Sequence, residues 1–209
     1  MLTTSPYHYL NLRRNPFGEL TPEERAELAI VDPGEWIEFL GSERSALQFV
    51  GPCGHGKTTH LLAIRRAMPL AEYVYLPEDG PRPTVADHRP AMIDEAQRLT
   101  WWQWRRVLRR GGPLILGTHI DYSRKLVRAG HDVRTIAVSV QSSIPRLLQI
   151  LNRRIHASRL TDTSIPSITE AEAVRLQHAF GADIRAIEHY LYDQFQRCAS
   201  EQSAWPPAS

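Results

Sequence analysis

The sequence predicts an α/β protein: a five-stranded parallel sheet in a three-layer core, followed by a small all-helical lid. Three observations carry that expectation. Strand-like and helix-like segments alternate between residues 46 and 140. A glycine-rich turn at 51–58 joins one such strand to one such helix. Past Gln141 the strand pattern stops and only helical periodicity continues.

In chain order, residues 1–20 read as an extended lead-in, with Phe17 in Asn11-Leu12-Arg13-Arg14-Asn15-Pro16-Phe17 as an anchor. Thr21, Pro22 and Glu24 open a helix as N-cap, first helical residue and capping carboxylate. The apolar run 46–50 is a buried strand, and 57–68, with Leu61, Leu62 and Ile64, is the helix after the turn. Strands at 72–76 and 90–94 flank a proline-rich stretch. Thr100 caps a helix over 101–110 that Gly111-Gly112-Pro113 stops. A strand at 114–117, a short helix at 121–129 and a strand at 133–140 complete the core. Helices follow over 145–160 and 169–197, the second opened by a capping box of Thr169 and Glu172. The chain thus divides into a lead-in (1–20), an α/β core (21–140), a helical lid (141–199) and a flexible tail (200–209).

The composition is that of a globular protein, with 42% hydrophobic and 23% charged residues. It contains no apolar run long enough to cross a bilayer, and residues 1–9 lack the pattern of a secretion signal. The expected location is cytoplasmic, without a membrane partner. Cys53 and Cys198 have no metal-ligand spacing and are read as reduced. A net charge of +2 does not by itself mark a nucleic-acid binder. Lys57 and Lys125 are the only lysines among many arginines, which singles out Lys57 for a task that a planar guanidinium does not perform.

The run Gly51-Pro52-Cys53-Gly54-His55-Gly56-Lys57-Thr58 meets the pattern G-x-x-x-x-G-K-[ST] at every fixed position. Glycines let the backbone turn its N–H groups around a phosphate chain. Lys57 supplies a point charge at the β/γ-phosphates, and Thr58 a hydroxyl for magnesium. Thr59 follows in the first helical turn, so the helix N-terminus faces the anion. Downstream, Pro90-Ala91-Met92-Ile93-Asp94-Glu95 is an apolar strand ending in two carboxylates. The C-terminal end of such a strand borders the crevice where open α/β sheets bind ligands. Asp94 is suited to hold magnesium and Glu95 to orient or deprotonate an attacking water. The plain alternative for Asp94 is a helix N-cap.

Ile93-Asp94-Glu95-Ala96-Gln97-Arg98-Leu99, with the phosphate loop upstream, resembles the second nucleotide motif of AAA+ ATPases. The nearest resemblance is to the branch of transposon target-selection and secretion-associated ATPases. The likeness runs through roughly residues 10–195. It implies ATP and Mg2+ as ligands, hydrolysis at subunit interfaces of a homo-oligomeric ring or filament, and DNA as a partner. A recombinase or transposase is the protein partner it implies. Three further roles follow from the same resemblance. Thr118, at the end of Leu114-Ile115-Leu116-Gly117-Thr118, matches the residue sensing the γ-phosphate, with His119 as runner-up. Arg128, or else Arg124, matches the arginine reaching a neighbour's site. Gly181-Ala182-Asp183-Ile184-Arg185 resembles the lid signature, with Asp183 as N-cap and Arg185 on the γ-phosphate. The chain departs from the family pattern at 77–89, where Pro77, Pro81 and Pro83 leave no room for the usual helix. That shortening counts against a standard pore or DNA-tracking role.

The segment Trp101-Trp102-Gln103-Trp104-Arg105-Arg106-Val107-Leu108-Arg109-Arg110 places Trp101, Trp104 and Leu108 on one expected core face. Trp102, Arg105, Arg106 and Arg109 fall on the other, either as a solvated face or as a contact for nucleic acid or a partner. Two further function classes stay open: a P-loop small-molecule kinase, and a slow-turnover nucleotide-gated module that recruits a protein. The Asp94-Glu95 pair, which prepares a water rather than a substrate hydroxyl, weighs against the kinase. Asp94-Glu95-Ala96-Gln97 also resembles the helicase signature, but the chain is too short for a second motor domain.

Overall fold

The computed structural model describes residues 5–81, 83–85, 90–109, 112–138, 143–203 and 205. In order, its helices and strands are α1 (Pro22–Leu28), α2 (Gly34–Phe39), β1 (Ser45–Val50), α3 (Lys57–Ala67), β2 (Glu72–Tyr75) and β3 (Ala91–Asp94). Then come α4 (Trp101–Arg109), β4 (Leu114–Thr118), α5 (Ser123–Arg128), β5 (Asp132–Ala137), α6 (Ile144–Ala157), α7 (Glu170–Phe180) and α8 (Ile184–Glu201). The five strands form one sheet in the order β2-β3-β4-β1-β5, and every pairing is parallel.

The chain forms two compact units, one of Arg25–Ser139 and one of Met1–Glu24 with Val140–Ser209. The first is the α/β unit. Alternation along its strands sends side chains to two separate cores. Ala46, Ile93, Leu114 and Leu116 pack with Trp104 and Val107 of α4 and Leu126 of α5. Leu47, Phe49, Met92 and Ile115 pack with Leu61 and Ile64 of α3, and Trp36 and Phe39 of α2 join that side. The result is a sheet between two helical layers. Nearly continuous apolar runs in β1, β3 and β4 follow from burial on both faces. Helix α2 was not foreseen from the sequence. Between β2 and β3 the described residues form no helix, as the prolines required.

The second unit is helical. Thr169 and Glu172 make the reciprocal capping box at α7, and the Asp183 carboxylate accepts from Ala186 N–H at the start of α8. The lead-in is no free extended arm. Tyr7, Leu10, Leu12 and Phe17 are buried among α6, α7 and α8 residues, with Phe17 against Phe195. Arg154 of α6, itself buried, donates to the carbonyls of Pro16 (2.9 Å) and Gly18 (2.6 Å) and pairs with Glu188 of α8. A buried guanidinium needs its donors satisfied, and backbone carbonyls of the lead-in do so. No helix among the described residues is long and apolar enough to cross a membrane.

Candidate nucleotide site

The site lies where β1, β3 and β4 end and α3 begins. Gly51 follows β1 and its N–H donates to the carbonyl of Thr118 at the end of β4 (3.1 Å). A Cβ on Gly51 would lie 2.2 Å from the carbonyl oxygen of Val138, so only glycine admits this approach of two backbones. Gly54 and Gly56 have φ of 82° and 88°, the left-handed region glycine enters without strain. They turn the chain back so that α3 starts at Lys57, directly after the loop. Pro52 and Cys53 are exposed on the loop, while Gly51, Gly54, His55, Gly56, Thr58 and Thr59 are half-buried. Neither Cys53 nor Cys198 is in a disulfide.

Lys57 is buried, with its ammonium donating to the carbonyls of Gly51 (2.9 Å) and Pro52 (2.8 Å) and lying 3.2 Å from His119 Nε2. One residue on, the Thr58 hydroxyl donates to Asp94 Oδ2 at 2.7 Å. The Tyr73 hydroxyl of β2 donates to the same oxygen at 3.0 Å, and the Glu95 N–H to Asp94 Oδ1 at 3.1 Å. Asp94 is fully buried, and burial pushes its carboxyl above the ordinary carboxylate range against the pull of the Thr58 and Tyr73 hydroxyls. Thr58 and Asp94 therefore form an all-oxygen pair between a phosphate-type loop and the sheet. Such a pair suits Mg2+, which takes one or two protein oxygens and completes its shell with water and phosphate. Among the described residues no group of three His, Cys, Asp or Glu could hold a metal.

Glu95 follows in the left-handed region at φ 61°, a conformation that costs a non-glycine residue energy and recurs at functional sites. Three side chains meet its carboxylate, all at Oε2. Gln97 Nε2 donates to Oε2 at 2.6 Å, Arg98 lies 3.6 Å away and His119 Nε2 3.4 Å away. Arg98 also donates to the Leu76 carbonyl (2.8 Å) and meets Glu78 (3.2 Å), which ties Glu95 to the segment after β2. Gln97 further accepts the His119 N–H at 3.3 Å.

At the end of β4 the two γ-phosphate-sensing candidates differ. Thr118 is fully buried, and its hydroxyl is bonded to Ile120, donating to the carbonyl (3.1 Å) and accepting from the N–H (3.0 Å). His119 reaches both Lys57 and Glu95 with one ring nitrogen. Arg124 and Arg128 are exposed on α5 of the α/β unit. Arg185 is exposed in the first turn of α8 in the helical unit, two residues after its Asp183 cap.

Residues without a reading from the sequence complete the site. A Cβ on Gly117 of β4 would lie 2.6 Å from Asp94 Oδ1 and 2.9 Å from Leu61 Cδ1, so this glycine makes room for the buried carboxylate. A glycine inside an apolar strand was its sequence signal. Gln97 had none. Gln48, a polar residue within β1, donates to Asp121 (2.7 Å) and Thr135 (2.8 Å) and accepts the Tyr122 N–H (3.0 Å), fixing the turn after β4. In α4, Trp104 is buried as expected, but Trp101 is 62% exposed. The stripe facing the sheet is centred on Trp104 and Val107, and the indoles of the first turn lie off it.

No protein-family model and no curated protein sequence matches the chain. Solved structures do. The chain superposes on Cdc6p from Pyrobaculum aerophilum with a TM-score of 0.55 at 13% identity, covering 94% of this chain and 66% of that one. It superposes on the RuvB Holliday junction branch migration motor of Thermotoga maritima with a TM-score of 0.55 at 16% identity, covering 94% of this chain and 68% of that one. The chain thus spans about two thirds of the length of each. At these identities the likeness establishes the fold alone: the five-stranded parallel α/β core and the helices that follow it are shared with these structures.

Proposed function

We propose that the chain binds ATP with Mg2+, hydrolyses it, and acts as a homo-oligomeric nucleotide switch on DNA. The observation that carries this reading is the 2.7 Å contact between Thr58 and Asp94, which brings the metal-binding hydroxyl of the loop to the first of two adjacent carboxylates. Lys57 and the loop amides of 51–59 would hold the β- and γ-phosphates, and Thr58 and Asp94 the metal. Mg2+, when bound, neutralises phosphate charge as the bond to the leaving ADP oxygen breaks. Glu95 orients the attacking water and takes its proton. His119, whose ring nitrogen already meets Lys57 and Glu95, fits the γ-phosphate contact better than Thr118, whose hydroxyl is committed to its own turn. Arg128 from a neighbouring subunit and Arg185 would add positive charge as the phosphoryl group departs. DNA as the partner rests on analogy with a branch migration motor of the same fold. A recombinase or transposase partner rests on sequence resemblance alone.

One observation favours a second reading, a nucleotide-gated recruitment module with little turnover. The Glu95 carboxylate is engaged by Gln97, Arg98 and His119, all at Oε2, and these donors draw on the negative charge that a base needs to take a proton from water. Fluorescent-ATP titration and phosphate release on Lys57→Ala and Glu95→Gln test both. The switch reading requires Lys57→Ala to weaken ATP binding tenfold or more, and Glu95→Gln to bind ATP normally with turnover reduced about a hundredfold. Equal phosphate release from Glu95→Gln and wild type overturns hydrolysis at this site and leaves the module.

A further inference from the structure

Helix α4 carries a surface that the nucleotide chemistry does not use. Trp101 and Trp102 are 62% and 72% exposed and meet edge to face, with centroids 4.4 Å apart at 72°. The Arg105 guanidinium lies over the Trp101 ring at 5.5 Å. Arg106 and Arg109 are exposed one turn further on, and the helix contains no carboxylate. Two exposed indoles cost hydration free energy unless something covers them. What covers them is decided by area and charge. Together they expose about 300 Å2, given the 150–250 Å2 an aromatic side chain presents. Face to face on two copies they would bury about 600 Å2, about half of the 1,200 Å2 that a stable pairing of protein copies needs over both partners. The other exposed side chains of α4 are guanidiniums, and three like charges on each copy would oppose self-association. An occupant must therefore offer flat π surfaces and a string of anions together. In duplex DNA the base faces are buried by stacking, whereas a single strand presents both its bases and its phosphates.

We propose that the Trp101/Trp102 platform, with Arg105, Arg106 and Arg109, is a docking surface for single-stranded DNA. Bases stack on the indoles, and the guanidiniums contact the phosphates that follow. The choice of DNA rests on the proposed function; the stacking surface itself does not depend on ATP.

Fluorescence anisotropy with a short fluorescein-labelled oligothymidylate, the matching duplex and the matching RNA tests the proposal on the full chain. Wild type should bind the single strand about tenfold more tightly than the duplex and quench its tryptophan emission on binding. Trp102→Ala should weaken binding about tenfold, and Trp102→Phe should restore most of it. Arg109→Ala should lower the slope of log affinity against log salt by about 0.7, the share of one phosphate contact on a single strand. All three variants should keep the wild-type rate of phosphate release, since none touches the nucleotide site. Duplex or RNA preferred over single-stranded DNA, or affinity unchanged in Trp102→Ala, overturns the proposal. Phosphate release without single-strand binding sinks this surface alone. Single-strand binding without phosphate release sinks the ATPase reading and leaves the surface standing.

Discussion

At Gly117 a missing side chain decides whether the site can exist. A methyl group there would lie 2.6 Å from a fully buried Asp94 oxygen that Thr58 and Tyr73 already hold in place. Gly117→Ala is expected to cost about 1–3 kcal/mol of stability from overpacking. It should also weaken Mg2+-dependent ATP binding, because Asp94 is the group that must yield. Urea melts and nucleotide titrations on the same sample check both effects; wild-type values in each would show that the carboxylate moves freely. His131, just before β5, offers a pH-dependent counterpart. Burial holds its imidazole below the ordinary value near 6.5, outweighing the backbone carbonyls of Arg44 and Leu108 that favour the charged ring. The native state thus binds a proton less readily than the unfolded chain does. Stability contributed by the neutral ring is whole above about pH 6.5 and is lost as pH falls towards the lowered native value. His131→Gln should remove up to about 1.4 kcal/mol per pH unit of this acid-side decline. Urea midpoints measured from about pH 7 down to about pH 5 would expose an unchanged slope. Lys57 and the loop glycines were legible from spacing alone. Gly117 and Gln97 were not, because Gly117 matters through Asp94 on another strand, and Gln97 through a turn that brings it onto Glu95 and the His119 N–H.

Helices and strands were legible to different depths. Caps are local, so Thr169 with Glu172 and Asp183 at α8 stand where the sequence put them. Thr169→Ala should destabilise the helical unit by about 0.5–2 kcal/mol, the usual worth of an N-cap. A thermal melt should register that loss while ATP affinity at the α/β unit stays unchanged; a parallel fall in ATP affinity would mean that the cap serves the nucleotide site. The short helix α2 carries no strong periodic signal over six residues, and packing of Trp36 and Phe39 against the sheet supports it. In α4 the periodicity was read correctly for Trp104 and wrongly for Trp101. A repeat of three or four residues marks a face, but only the position of the sheet determines how far along the helix that face stays covered.

For the whole molecule, the parallel sheet in the order β2-β3-β4-β1-β5 puts the ends of β1, β3 and β4 side by side. One loop, two carboxylates and His119 share one locality for that reason. The open question at this scale is assembly. Glu95→Gln, which should hold ATP without consuming it, is expected to sediment as an oligomer in Mg2+-ATP and as a smaller species without nucleotide. A single species under both conditions would remove the oligomeric switch. The sequence by itself determined the α/β core and pointed to a phosphate-bearing ligand, because a phosphate cradle is made by the backbone of one contiguous run and its flanking strand and helix are local patterns. Tertiary structure alone decided that Thr58 meets Asp94 across 36 residues, that three side chains restrain Glu95, and that the lead-in belongs with the helical unit through Arg154. Those pairings depend on which surfaces pack together, and a buried charge or hydroxyl finds its partner only once packing has excluded water.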